Sequence, residues 1–138
     1  MEFVTFEIAK KLKEKGFDCE LPFAMYNEIG QFCLLTTSAP YHVCESGYKY
    51  REYYDYNDFD KYDFIAPTIS QVLKWLREEK KIHIVIDITN YGFISSIISF
   101  KWDKSYCENE IDHYDHEGYS TYEEATIAGI KYVLDNLI

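Results

Sequence analysis

Residues 112–117 read Asp112-His113-Tyr114-Asp115-His116-Glu117, an H-x-x-H pair among carboxylates, with Cys107 upstream. Imidazole nitrogen, thiolate sulfur and carboxylate oxygen are the ligand types that zinc and similar ions take. His42 and Cys44 add two further candidate ligands from an earlier segment. His113 and His116 are therefore the candidate metal ligands. Their spacing matches no established signature, since a helical zinc site places its histidines one turn apart with a defined third ligand. This segment falls in an expected loop just ahead of the last helix, and its plainer meaning is a solvated acidic loop. No metal or other cofactor is expected.

Other chemistries fare no better. Asp55, Asn57, Asp58, Asp60 and Asp63 invite comparison with a calcium loop. Phe59 takes its fifth position, no glycine its sixth, and Ala66 stands where the closing glutamate belongs. There is no G-x-S-x-G elbow, no cysteine in a catalytic setting and no glycine-rich phosphate loop. No catalytic residue is assigned. The enzyme alternative is a small metal-assisted hydrolase or small-molecule binder built on the His113/His116 segment.

The strongest feature is YKYREYYDYNDFDKYD (residues 48–63): six tyrosines and a phenylalanine among five carboxylates and three basic side chains. On a strand, Tyr48, Tyr50, Tyr54 and Tyr56 share one face and Lys49, Arg51, Tyr53 and Asp55 the other. Interleaved tyrosine and arginine are what protein interfaces enrich. The same rings stack on bases in nucleic-acid binders, but five carboxylates oppose that use. A strand that merely flanks the core, its hydroxyls in water, is the competing reading. A second acidic run spans Ser105 to Ile130, where Glu108, Glu110, Asp112, Asp115, Glu117, Glu123 and Glu124 accumulate without a lysine or arginine. The candidate partner-binding residues are thus Tyr50, Tyr53, Tyr54, Tyr56, Glu110 and Asp112.

The totals limit the partners. A net charge of −10 over 138 residues opposes binding to a phosphate backbone or an anionic membrane surface. The expected partner is a protein, of basic character if the acidic run engages it; a structural homo-oligomer is a further alternative. The N-terminal stretch mixes acids and bases where a signal peptide would be apolar. The apolar run Phe93–Phe100 is serine-broken and too short for a bilayer. A cytoplasmic location follows as the expectation, and with it reduced cysteines at Cys19, Cys33, Cys44 and Cys107.

Three amphipathic helices must position these residues. One runs from about Thr5 to Lys15, with Phe6, Ile8, Ala9 and Leu12 on one side and Gly16 as its stop. A second follows Thr68, which has capping-box spacing to Gln71, and carries Ile69, Val72, Leu73 and Leu76. The third follows Thr121, with Glu124 in the matching box position. IHIVIDIT (Ile82–Thr89) alternates with period two, turns at Asn90-Tyr91-Gly92 and pairs with FISSIISFKW. FAMYN and QFCLLTT flank Glu28-Ile29-Gly30 as a second hairpin. YHVC and YKYREYYDY flank Glu45-Ser46-Gly47 as a third. Strands joined by tight turns imply one α+β domain over residues 1–138. Its antiparallel sheet would have about four to six strands, with three helices mainly on one face.

The strings FEIAKKLKEKGF, APTISQVLKWLREEKKIHIVI and YSTYEEATIAGIKYVLDNLI resemble a family of small uncharacterised proteins from Bacteroides-group bacteria and their phages or mobile elements. The matching segments cover both ends and the middle of the chain, leaving the tyrosine-rich segment and the acidic run outside. The family has no assigned activity, so no residue role is carried over. What the resemblance implies is a bacterial cytoplasm and a phage or conjugative setting.

Overall fold

The computed structural model describes residues 2–19, 22–35, 42–44, 63–102, 107–114 and 118–138. Contacts within the chain group it into two compact units, Met1–Thr68 and Ile69–Ile138.

The first unit opens with α1 (Phe6–Glu14). Thr5 caps it, its hydroxyl accepting from the Ile8 N–H at 3.4 Å, which satisfies one of the donors a helix start leaves over. The stripe Ile8, Ala9 and Leu12 is buried, and Gly16, at φ +83°, takes the left-handed conformation that stops the helix. Four short strands follow: β1 (Ala24–Tyr26), β2 (Phe32–Leu35), β3 (His42–Cys44) and β4 (Phe64–Ile65). They pair antiparallel in the order β3-β2-β1-β4.

Asn27 shapes the β1–β2 turn, its side-chain oxygen accepting from the N–H groups of Ile29 and Gln31 at 3.1 and 2.9 Å. The register sets Phe32 and Phe64 on either side of Tyr26, and Phe3 and Phe6 pack on this aromatic row at ring separations of 5.1 to 5.5 Å. The Tyr26 hydroxyl donates to the Val4 carbonyl at 2.7 Å, so burying the ring strands no polar group.

The second unit comprises α2 (Ile69–Glu79), β5 (Ile82–Thr89), β6 (Gly92–Trp102), β7 (Cys107–Tyr114) and α3 (Tyr122–Asn136). Its sheet runs β5-β6-β7, antiparallel throughout. α3 lies against β5 and β6, and α2 against β5 and α3. The core joins Ile69, Val72 and Leu76 of α2, Ile82, Ile84, Ile94 and Ile97 of the sheet, and Ala125, Ile130, Val133 and Leu134 of α3. Gly129 is the point of closest approach, where a Cβ would fall 2.9 Å from Ile84 Cγ2. Thr121 caps α3, accepting from the Glu124 N–H at 3.1 Å, and the Glu124 carboxylate reaches back to the Ser120 N–H at 3.3 Å.

The α+β class, the three helices and the antiparallel pairing agree with expectation. Two features differ. The described strands form two sheets rather than one. β3 pairs with β2, and the tyrosine-rich strand expected beside it after Glu45-Ser46-Gly47 lies outside the described residues. The acidic segment, expected as a loop, is the strand β7 across Cys107–Tyr114. Alternation explains the last case. Cys107, Asn109 and Ile111 take turns with Glu108, Glu110 and Asp112 in the sequence, and β7 is the last of the described strands in its sheet, a place where charge is readily accommodated.

Candidate functional site

The sequence candidates are distributed unevenly. Tyr50, Tyr53, Tyr54 and Tyr56 lie outside the described residues, as does His116. Glu110 sits on β7 opposite Ser99, and His113 opposite Ile97. The register skips between those two pairs, and Asp112 is the extra residue of a β-bulge. Among the described residues no three His, Cys, Asp or Glu side chains converge in a way that would hold a metal ion.

A different surface emerges at the tip of the β5–β6 hairpin. Ile88 is 78% exposed, Tyr91 84% and Tyr122 47%. Phe93 adjoins two of them, Ile88 and Tyr122. Ile88 is the register partner of Phe93, which places both on one face of the hairpin. The Phe93 ring meets the Tyr122 ring edge-on at 6.4 Å, linking the hairpin to the first residue of α3. Tyr91 projects from the two-residue turn between them.

The turn is held from both sides. The Thr89 hydroxyl donates to the Gly92 carbonyl at 3.0 Å and accepts from the Tyr91 N–H at 3.2 Å. On the far side, Phe93 and Tyr119 exchange paired backbone hydrogen bonds of 2.9 and 2.8 Å. That bridge draws the segment before α3 so close that a Cβ on Gly118 would overlap the Tyr91 carbonyl oxygen. Gly92, at φ +116°, is pinned likewise, since a Cβ there would lie 2.5 Å from the Tyr119 carbonyl oxygen.

Electrostatics complete the surface. Glu123 and Glu124 follow Tyr122 and are exposed. They occupy the first turn of α3, where the helix dipole favours anions. In chain order Asp115 and Glu117 precede them, and no lysine or arginine occurs between Ser105 and Ile130. Apolar and aromatic side chains beside carboxylates suit a ligand that is apolar and cationic together, such as a basic peptide segment.

Sequence reading did not single out Ile88, Tyr91 or Tyr122. The turn and strand were expected, but the face joins a hairpin tip to a helix start some thirty residues on. One local signal was available: a tyrosine at the centre of a two-residue turn, where Asn, Asp and Gly ordinarily stand. No helix among the described residues is long and apolar enough to cross a membrane. No protein-family model, curated protein or solved structure matches the chain.

Proposed function

We propose that this chain is a small acidic interaction module that holds a basic protein partner against an aromatic surface edged by carboxylates. The observation that carries the reading is the exposure of Ile88 and Tyr91 at a braced hairpin tip and of Tyr122 at the start of α3, where Glu123 and Glu124 follow. Rigid backbone matters here, because a face that is already ordered loses little entropy when a partner binds. Exposed aromatics of this kind are the residues on which interface energy concentrates. The tyrosines at 50, 53, 54 and 56, with Glu110 and Asp112, are the proposed extension of the binding surface. The resemblance to phage and mobile-element proteins adds a setting, a bacterial cytoplasm in which the partner is a host protein.

The test compares wild type with the double variant Ile88→Ser, Tyr91→Ala. Tagged protein is used to capture partners from bacterial lysate at moderate and high salt, and the retained species is then titrated in purified form. A basic protein should be held at moderate salt and released at high salt. The double variant should weaken it roughly tenfold or more, about 1.4 kcal/mol, while its thermal midpoint stays at the wild-type value. Equal affinity in the variant would sink this surface as the binding face.

A further inference from the structure

We propose that two copies of this chain join edge to edge through β5, antiparallel, about a two-fold axis at Val85. β5 and β7 are the outermost described strands of their sheet, and they differ in how their edges are guarded. β7 carries Glu108, Glu110 and Asp112 and a register break against β6, and charge and bulges both discourage a further strand. β5 runs in unbroken register with β6. It holds neither lysine nor proline, and Asp87 is its one carboxylate. The direction of its backbone groups follows from the hairpin. Phe93 exchanges both backbone hydrogen bonds with Tyr119, on the side of β6 away from β5. Its register partner Ile88 is therefore in a non-hydrogen-bonded pair, with its N–H and C=O pointing outward. Alternation gives the same direction to Ile82, Ile84 and Ile86. Among the described residues no strand pairs with that edge.

Charge makes a second copy the fitting occupant. Asp87, near the end of β5, is exposed. Near the start of the strand, the exposed Arg77 of α2 lies close enough for its positive charge to act on His83. Antiparallel pairing about Val85 sets Asp87 of each copy opposite position 83 of the other, beside that charge. Opposite charges facing across strands are favourable. The same register opposes Ile84 to Ile86 and Ile82 to Ile88 across the axis, so that outward backbone groups meet outward ones. A shift of one residue would set outward groups against inward ones and lose the hydrogen bonds. Ile88, 78% exposed in the single chain, then lies opposite the buried Ile82 of the second copy. The contact is the same patch on both copies, so it closes at two. It needs no foreign protein and shares only Ile88 with the surface proposed above, since Tyr91 and Tyr122 lie outside the paired strands.

The experiment follows full-length protein by sedimentation equilibrium from dilute to concentrated solution, with amide exchange read by NMR at both ends. The expected result is a monomer–dimer equilibrium in which the Ile84 and Ile86 amides exchange slowly only in concentrated protein. Asp87→Lys and Arg77→Glu, both at exposed positions, should each weaken the dimer about tenfold or more. An equimolar mixture of the two variants should recover it, because each then meets the opposite charge. Ile86→Pro removes one outward N–H while leaving the ladder to β6, and should weaken the dimer without any change of charge. A chain that stays monomeric at every concentration leaves the edge to a strand from another protein and overturns the proposal. So does a dimer without protection of those two amides, or a mixture of the charge variants that associates no better than either alone.

Discussion

Two side chains of the second unit have consequences beyond their own contacts. Ser95, on β6, is 1% exposed, and its hydroxyl has no hydrogen-bond partner. A buried hydroxyl without a partner forfeits its hydration for nothing, at a cost of about 1–3 kcal/mol. Ser95→Ala should therefore leave stability unchanged or raise it by about 1 kcal/mol, read as a higher urea midpoint at constant slope. A clear loss would mean the hydroxyl is satisfied after all. His83, on β5, is held below its ordinary pKa, first by burial and then by the positive charge of Arg77. Its protonated form is thus disfavoured in the folded protein, and the unfolded chain binds the proton more readily. His83 costs the fold nothing above its unfolded value of 6.5, and its penalty grows as pH falls from there toward the lowered native value. His83→Gln should flatten the stability profile relative to wild type as pH falls through the unfolded value of 6.5. Parallel profiles for the two proteins would remove His83 as a contributor. Neither property was legible from residue type, because burial and the nearness of Arg77 come from packing.

The helices were the most legible elements because their signals are local. Thr5 and Thr121 sit at the caps the structure uses, and Gly16 takes the left-handed turn. Strand pairing was less so. β4 is two residues long and carries no pattern of its own, and the charge of Glu108, Glu110 and Asp112 obscured the alternation of β7. The pairing of β3 with β2 was not among the hairpins read from the sequence. At this scale the junction of α3 with β5 makes a sharp prediction. Replacing Gly129 by alanine gains about 1 kcal/mol of helix propensity. It also drives a methyl to within 2.9 Å of Ile84 Cγ2, a branch atom at the root of a stiff side chain that cannot swing aside. Overpacking of this kind costs about 1–3 kcal/mol, so Gly129→Ala should lower the thermal midpoint. In an Ile84→Ala background the same substitution should be neutral or stabilising, and a double-mutant cycle measures the coupling. Additivity in that cycle would mean the methyl is accommodated elsewhere.

For the molecule as a whole, the length and apolar content of the chain led to the expectation of one domain, and contacts divide the chain into the units Met1–Thr68 and Ile69–Ile138. Differential scanning calorimetry distinguishes the cases. A single domain gives one transition with equal calorimetric and van't Hoff enthalpies, which is the expected result; two transitions would make each unit its own cooperative body. A net charge of −10 also acts at this scale. It repels nucleic acid and speeds the approach of a basic partner, so association should slow as salt is added while dissociation changes less. Charge balance was fully legible in the sequence. The proposed surface was not, because Ile88 and Tyr122 each come to adjoin Phe93 only in the fold.

The contact between the β5–β6 turn and the strand-like segment before α3 also bears on how such a protein would diverge over time. Gly92 and Gly118 sit where any larger residue would strike a backbone carbonyl, so selection for folding alone forbids change at either, whatever the protein binds. Tyr91, between them in space, is under no such constraint, since its side chain is out in solvent. Among descendants of one ancestor, the two glycines should therefore persist across every lineage, whereas an aromatic at 91 should persist only in lineages that share the proposed partner. The pattern of drift at position 91 would then date the loss or exchange of that partner, with the glycines as the fixed reference.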